Sequence, residues 1–149
     1  MNEDIFKTAF NLAQQAFQED EVPVGAVVFD TKTHEIISCS YNQTEQEINP
    51  LSHAEIRAIQ EACQKLKSKR LTGYSLFVTL EPCTMCAGAI AWARLDHLYF
   101  GAYDPKTGAV EQGPKVFTHP QTHHKIQITG GIHAKECGQL LSDFFKAKR

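Results

Sequence analysis

The sequence predicts an α/β protein in which a mixed five-stranded sheet is covered by helices on both faces, as a three-layer α/β/α sandwich. Segments with the apolar spacing of helices alternate with short apolar, β-branched runs in the order α, β, β, α, β, α, β, β, α. The chain has 149 residues, the length of one domain, and a chain of this size buries about two-thirds of its unfolded surface. We therefore predict a single domain over residues 1–149.

The first half of the chain predicts a helix, a hairpin and a second helix. Apolar residues recur at three- and four-residue steps between Met1 and Gln18, which indicates a helix packed on one face. Two extended runs, Val22 to Phe29 and Glu35 to Ser40, predict a β-hairpin. A polar loop follows at Asn42 to Pro50, and helical spacing returns from His53 to Lys69.

The second half of the chain predicts three further strands and two helices. We expect the strands at Tyr74–Leu80, His97–Ala102 and Lys125–Thr129, and the helices at Cys83–Arg94 and His133–Lys148. Glu81-Pro82 ends the first of these strands, and that strand, the next helix and the next strand form a compact βαβ unit. The stretch from Tyr103 to His124 is rich in Pro, Gly and His and predicts an irregular region.

Charge and cysteine content limit the classes of function. The formal net charge is -2, so nucleic-acid binding would require local basic patches. Five cysteines, two of them at C-x-x-C spacing, indicate metal ligands plus free buried thiols in a reducing compartment. The segment from Met1 to Gln18 lacks the apolar run of a signal peptide, and no later segment is long enough to span a membrane. We therefore expect a soluble, cytoplasmic protein without a membrane partner.

Two short segments, His53-Ala54-Glu55 and Pro82-Cys83-Thr84-Met85-Cys86, predict a catalytic metal site. Catalytic zinc takes three protein ligands and leaves its fourth position to water, and His53, Cys83 and Cys86 match that requirement. This pattern resembles the H-x-E and P-C-x-x-C signature of zinc-dependent nucleobase deaminases. One zinc ion per chain would lower the pKa of a bound water from about 16 toward about 7, and Glu55 would then transfer protons.

The spacing of these residues places conditions on the local structure. Cys83 and Cys86 are three residues apart at the start of a helix, so both sulfurs lie on one face near the positive end of the helix dipole, which favours thiolates. His53 and Glu55 would be rotated by roughly 200° from each other on a helix. Both can therefore face one metal only if His53 lies in or before the first turn, with Ser52 as a candidate N-cap.

Three alternatives to a catalytic zinc site remain at this point. Cys83 and Cys86 could be two unrelated core thiols. A structural zinc site would require a fourth ligand from Cys39, Cys63, Cys137 or a histidine. We interpret these three cysteines as core residues because each falls within a predicted strand or helix. A non-catalytic zinc module that binds protein or RNA is the third alternative, and a glutamate beside an open zinc position argues against it.

Other clusters carry weaker predictions. A second histidine-rich region is irregular in spacing and favours solvent or RNA contacts over metal binding, and its members are His119, His123, His124 and His133. Cations at two helix ends either complement the helix dipole or bind phosphate, and these are Lys65, Lys67, Lys69, Arg70, Lys146, Lys148 and Arg149. The aromatic pair Phe144-Phe145 is interpreted as a core anchor for the last helix rather than a base-stacking platform.

The chain also resembles the bacterial tRNA-specific adenosine deaminases over nearly its whole length. The matching segments are Val22–Ala26, Asn42, His53–Ile56, Tyr74–Gly88, Gly101–Gly108 and Leu140–Phe145. The resemblance implies the cytidine deaminase-like fold, a homodimer, and conversion of adenosine to inosine at the wobble position of an arginine tRNA anticodon. Trp92 lies on the predicted Ala-rich helix and is expected to be exposed, which also favours packing against a second copy of the chain.

Residue roles follow from the same resemblance. It implies zinc ligation by His53, Cys83 and Cys86, proton transfer by Glu55, a hydrogen bond from Asn42 to the flipped-out base, and a pocket lined by Val24 and Ala54. The partner would be a tRNA anticodon stem-loop, and no DNA partner is expected. The alternative function is deamination of a free nucleobase or nucleoside such as guanine or cytosine, which would depend far less on salt than the binding of RNA phosphates.

Overall fold

Residues 1–148 are described by a computed structural model of the chain, which confirms the predicted order of elements. The helices are α1 (Glu3–Gln18), α2 (Ala54–Leu66), α3 (Thr84–Ala93) and α4 (Ala134–Ala147). The strands are β1 (Gly25–Asp30), β2 (Ile36–Tyr41), β3 (Tyr74–Leu80), β4 (His97–Ala102) and β5 (Gln127–Thr129). The irregular region after β4 contains one short 3₁₀ turn at Val116–Thr118.

The five strands form one mixed sheet in the order β2-β1-β3-β4-β5. The predicted hairpin is confirmed, since β1 pairs antiparallel with β2, and β1 also pairs antiparallel with β3. The predicted βαβ unit is confirmed as well, because β3 and β4 run parallel, and β5 adds in parallel at the edge. Both hairpin and βαβ connections therefore occur in the same sheet.

Helices cover both faces of the sheet, as the three-layer prediction requires. Helices α2 and α3 pack on one face over the larger apolar core, whereas α1 and α4 pack on the other. Strand β3 is buried on both faces, with Leu76 and Val78 in the first core and Phe77 in the second. A strand buried on both faces is a nearly continuous apolar run, which agrees with the prediction of a strand at Tyr74–Leu80.

This topology brings four chain segments to one edge of the sheet. Parallel strands end at the same edge, so Glu81 after β3 and Tyr103 after β4 emerge together. The antiparallel hairpin places the residue before β1, Val24, and the residue after β2, Asn42, at that edge, because Gly25 pairs with Tyr41. The candidate site residues therefore converge from segments far apart in the sequence.

Three of the predicted elements extend beyond the ends that the structure shows. Helix α2 ends at Leu66, because Lys67 adopts a left-handed conformation with φ 52° and its N–H closes the helix on the carbonyl oxygens of Cys63 and Gln64. Strand β1 begins at Gly25 rather than Val22, since Pro23 offers no N–H to a ladder and the N–H of Val24 turns back to Val22. The last strand keeps only its final three residues.

Among residues 1–148, no helix combines the length and the hydrophobicity needed to cross a lipid bilayer.

Candidate active site

The starts of α2 and α3 bring the three predicted metal ligands together. His53 is the N-cap of α2 with extended dihedrals (φ -69°, ψ 153°), so it lies before the first turn, as the two-residue spacing to Glu55 required. The prediction that Ser52 caps this helix is wrong, because its hydroxyl donates to the Glu47 carboxylate at 2.6 Å. Cys83 is the N-cap of α3, and Cys86 lies in the first turn of that helix.

The ligand atoms of His53, Cys83 and Cys86 lie within 4.8 Å of one another. The Nδ1 atom of His53 is 3.7 Å from the sulfur of Cys83 and 3.4 Å from that of Cys86. Tetrahedral zinc with Zn–S bonds of about 2.3 Å and Zn–N bonds of about 2.0–2.1 Å requires N···S separations of roughly 3.5 Å. The side chains are therefore already spaced as three ligands of one zinc ion.

A fourth protein ligand does not join this group within residues 1–148. Cys137 is buried and Cys39 and Cys63 are partly buried, and all three pack with the apolar cores rather than beside His53. Three ligands with a remaining open direction match a catalytic zinc site and not a closed structural one.

The two thiols of the group differ in acidity. A hydrogen bond from Cys86, assisted by the neighbouring His53, lowers the pKa of Cys83 to about 4. The same hydrogen bond, together with burial, raises the pKa of Cys86. A bound metal ion would take the place of the proton on Cys86, since a coordinating thiol is deprotonated. The N-terminal ends of α2 and α3 add a positive potential that favours the resulting negative charge.

Glu55 lies in the first turn of α2 beside the ligand group and is only 5% exposed. Burial raises the pKa of its carboxyl group to about 7. A carboxyl group in this range exchanges protons readily near neutral pH, as general acid–base catalysis requires. The structure thus places the predicted proton-transfer group at the predicted metal site.

The ligand group opens into a cleft of about 940 Å³. Every predicted site residue except the buried Cys86 lines it, and these are Val24, Asn42, His53, Ala54, Glu55 and Cys83. Asn42 is buried and its Oδ1 atom has no hydrogen-bond partner among the described residues, although its backbone N–H donates to the carbonyl oxygen of Val24. A buried acceptor left unpaired in the protein is available for a ligand.

Two buried carboxylates that the sequence reasoning missed hold the loops on either side of this cleft. Glu21 is fully buried and accepts hydrogen bonds from the backbone N–H groups of Glu45 and Gln46, in the loop after β2. Glu81 is 2% exposed and accepts from four backbone N–H groups in the loop after β4. From the sequence, Glu81 is interpreted only as part of a strand break. A charged residue directly after a buried strand is the available signal.

Hydrogen bonding outweighs burial at Glu81. Burial acts to raise the pKa of this carboxyl group, but hydrogen bonds from the Gln112 side chain and from the loop backbone hold it below its ordinary value. The group is therefore ionised at neutral pH and satisfied by donors on both oxygens.

The last helix contributes one wall of the cleft. Phe144 is buried and packs edge-on against Phe17, which agrees with its interpretation as a core anchor. That interpretation is wrong for Phe145, which is half exposed and lines the cleft together with Lys146 and Lys148. Lys148 also pairs with Asp20, and Arg149 lies outside the described residues.

The histidine-rich region does not form one cluster. The interpretation of His133 as a solvent or RNA contact is wrong, because its ring stacks on Phe6 and its nitrogens contact Glu3 at 3.0 Å and Glu136 at 2.9 Å. His124 contacts the carbonyl oxygen of Leu95 at 2.6 Å, and His119 contacts that of Pro114. These three side chains therefore contact other parts of the protein and do not form a common site.

Comparisons with known proteins agree with this geometry. A family model described as MafB19-like deaminase matches residues 1–149. The chain is 48% identical to the tRNA-specific adenosine deaminase of Rickettsia bellii over 143 residues, which cover 96% of this chain and 99% of the relative. A solved structure from a study of A-to-I editing by tRNA A34 deaminases at the wobble position shares 42% identity and a TM-score of 0.89, covering 93% of this chain and 99% of the other. The guanine deaminase of Nitrosomonas europaea, at 21% identity and a TM-score of 0.85 over 97% of this chain and 84% of the other, shares the fold.

Proposed function

The chain belongs to the family of tRNA-specific adenosine deaminases, which hydrolyse adenosine to inosine at the wobble position of a tRNA anticodon, and we propose that it does so on an arginine tRNA with one zinc ion per chain. The observation that carries this proposal is the convergence of His53, Cys83 and Cys86 within 4.8 Å at the floor of an open cleft, with the buried carboxyl group of Glu55 beside them.

His53, Cys83 and Cys86 would hold the zinc ion. When bound, zinc makes water acidic enough to supply a hydroxide nucleophile near neutral pH. Their fit is supported by the N···S separations of 3.4 and 3.7 Å and by the helix N-termini that favour thiolates.

Glu55 would move the protons of the reaction. Conversion of adenosine to inosine replaces the exocyclic amino group at C6 by oxygen, so one proton must reach the purine ring and another must reach the departing amine. Glu55 is the carboxyl group that lies beside the ligands and lines the cleft. Its burial keeps bulk water from competing for these protons.

Asn42, Val24 and Ala54 would hold the flipped-out base. The unpaired Oδ1 atom of Asn42 offers a hydrogen-bond acceptor inside the cleft, and Val24 and Ala54 supply buried apolar surface beside it. A flipped base is recognised by this combination of edge hydrogen bonds and apolar contact.

Basic side chains at the rim would bind the RNA backbone. Lys106, Lys146 and Lys148 line the cleft and offer cations for RNA phosphates on a chain with a net charge of -2, and Lys148 also pairs with Asp20. Neutralising several phosphates makes binding fall steeply with salt, whereas a neutral free base is nearly indifferent to it. A steep decrease of kcat/KM with ionic strength is therefore expected.

A homodimer is part of the proposal. Trp92 on α3 is 79% exposed, and an indole this accessible on an apolar helix favours burial against a second copy. Light scattering should give twice the chain mass of 16.7 kDa, and Trp92→Glu should shift the mass toward one chain. A single-chain mass for the wild type at micromolar concentration would refute the dimer. Because tRNA is the substrate, we also propose a cytoplasmic location.

The test is inosine formation in an arginine-tRNA anticodon stem-loop by zinc-loaded protein. Glu55→Ala and the free bases adenine, guanine and cytosine are assayed alongside, and Glu61→Gln on the exposed side of α2 is the matched control. We expect stem-loop conversion to fall by about 10²- to 10⁴-fold in Glu55→Ala, the usual range for general acid–base groups, and to persist in Glu61→Gln.

A second stem-loop from another tRNA, changed only to carry adenosine at the wobble position, tests the arginine assignment. Equal conversion of both stem-loops would contradict specificity for arginine tRNA. Turnover of a free base without stem-loop conversion would move the protein to nucleobase salvage, and an unchanged rate in Glu55→Ala would refute the role of that carboxyl group.

A further inference from the structure

The loop after β4 contributes to the lining of the cleft. Asp104, Lys106 and Thr107, in the first part of the loop, line it. The Asp104 carboxylate accepts hydrogen bonds from the N–H groups of Lys106 and Thr107, which fixes the first turn of this loop. The rest of the loop, through Gln112, has a different anchor.

That anchor is the carboxylate of Glu81, and its two oxygens divide the loop between them. Oε1 accepts from the backbone N–H of Asp104 at 3.1 Å and from the side-chain amide of Gln112 at 2.7 Å. Oε2 accepts from the backbone N–H groups of Val110, Glu111 and Gln112, at 3.2, 2.9 and 3.2 Å. Oε1 therefore ties the beginning of the loop to the side chain at its end, and Oε2 holds the backbone at its end.

The loop also packs onto this carboxylate without spare room. A β-carbon placed on Gly108 would lie 2.4 Å from Oε1 of Glu81 and 2.5 Å from the carbonyl oxygen of Asp104. The N–H of Ala109 donates to the carbonyl oxygen of Pro82, so the loop is also tied to the segment that leads into Cys83. The middle of the loop thus sits against Glu81 at the distance that only glycine permits.

From this arrangement we infer that Glu81 is a positioning residue for the RNA substrate, acting through the 104–112 loop and not by touching the nucleotide. The inference rests on the proposed function of the cleft. Glu81 is among the residues that line the cleft, but the residue is only 2% exposed and both of its carboxylate oxygens accept hydrogen bonds from loop donors, so its effect on the substrate passes through the loop that it holds. Loss of the anchor should therefore weaken substrate binding more than it slows chemistry at the floor.

Glu81→Gln is the most discriminating variant. The amide keeps the shape of the carboxylate and one of its oxygens, but it turns an NH₂ group toward the N–H donors of the other oxygen. At least one end of the loop must then be released. With the stem-loop substrate we expect KM to rise by about tenfold to hundredfold, kcat to change by less than about threefold, and bound zinc to remain at one per chain. Glu61→Gln, which makes the same chemical change on the exposed face of α2, should match the wild type.

Gln112→Leu is a milder change to the same anchor, and it remains informative if Glu81→Gln fails to fold. It removes only the side-chain N–H···Oε1 bond and leaves the carboxylate and all the backbone donors in place. KM should rise by about twofold to fivefold, and the thermal midpoint should fall by only a few degrees, since one charge-assisted hydrogen bond is lost and the others remain. Hydrogen exchange should be slow in the wild type for the amides of Asp104, Val110, Glu111 and Gln112, and in Glu81→Gln it should become fast for Asp104 or for the other three.

The outcomes separate this inference from the proposed function. If the wild type does not convert the stem-loop, the proposed function fails first. If the wild type converts it and Glu81→Gln has the KM of Glu61→Gln, the positioning role is overturned. Loss of zinc, or a fall in kcat at constant KM, would assign Glu81 to the metal site instead and would equally overturn it. Should Glu81→Gln fail to fold, an unchanged KM in Gln112→Leu decides against the inference.

Discussion

The floor of the cleft is built from the starts of two helices, whereas two of its walls are loops held by buried carboxylates and a third is the last helix. In the floor, His53 and Cys83 are N-caps and Cys86 lies in the turn that follows, so short-range backbone geometry aims their side chains. In the walls, Glu21 holds the 42–50 loop and Glu81 holds the 104–112 loop. Their hydrogen bonds reach residues that are 23 to 31 positions away in the sequence.

This difference teaches how one fold can keep its chemistry while changing its substrate. The floor needs two local motifs and a sheet that brings them together, so changes in the loops leave it intact. The walls decide what fits against the floor, and each of the two loop walls is held by a buried carboxylate. Substitutions of floor residues should therefore remove deaminase activity, and substitutions of wall residues should alter substrate binding.

Loss of the metal is expected to have the largest effect. Cys86→Ala removes one of three ligands and should leave the protein with well under one zinc ion per chain and without measurable deamination, because the remaining pair cannot complete a three-ligand site. Cys63→Ala, which removes a thiol packed against the apolar core on α2, should keep one zinc ion. Zinc content by atomic absorption and inosine formation test both variants, and full zinc in Cys86→Ala would refute its ligation.

The floor could be predicted from the sequence because each of its residues stands in a recognisable local pattern. His53 to Glu55 and Pro82 to Cys86 are short motifs, and the apolar periods on either side predicted the strand and helices that carry them. The carboxylates of Glu21 and Glu81 could not be predicted in the same way, since their partners are backbone N–H groups that have no side-chain signature. Their role is visible only when the loops are in place.

Asn42→Ala should have the next largest effect, and it separates function from stability. This variant removes the hydrogen bond that we propose for the base, so kcat/KM for the stem-loop should fall by about tenfold to hundredfold. The Oδ1 atom has no intramolecular hydrogen bond to lose among residues 1–148, so the free energy of unfolding should change by less than about 1 kcal/mol. Asn49→Ala, on the exposed part of the same loop, is the control for kcat/KM. An equal loss of activity in both variants would argue against a specific contact.

Glu21→Gln compares the two walls directly. Its carboxylate accepts only two backbone N–H groups, from Glu45 and Gln46, and the amide can still accept one of them. We expect unfolding in urea to show a loss of about 1–3 kcal/mol, and KM to rise less than in Glu81→Gln. Glu45→Gln, an exposed change on the same loop, should leave both quantities near the wild type. A larger KM effect in Glu21→Gln than in Glu81→Gln would reverse the ranking of the walls.

The fold outside the cleft shows the same limit on prediction. The order of strands and helices followed from apolar periodicity, but the end of α2 was missed because it depends on the left-handed backbone of Lys67, which no periodicity marks. The role of His133 was missed because its partner Glu3 is 130 residues away in the sequence. Long-range polar contacts, in the cleft and away from it, are what a local pattern leaves out.

His133→Gln should have the smallest effect, on stability and not on deamination, because this imidazole joins α4 to α1 away from the cleft. Hydrogen bonds with Glu3 and Glu136 raise the pKa of His133 above its ordinary value. Its contribution to the free energy of unfolding is therefore fully present below about pH 6.5, the unfolded pKa, and is lost as pH rises through the folded pKa. Since these side chains are partly exposed and screened by solvent, the difference between wild type and variant should be below about 1 kcal/mol at pH 6 and smaller still at pH 9. Urea unfolding at both pH values measures it, and Glu3→Gln, which removes the principal partner, should abolish most of the pH dependence. A difference that grows toward pH 9 would mean that His133 stabilises the fold as the neutral imidazole stacked on Phe6, and not as a cation.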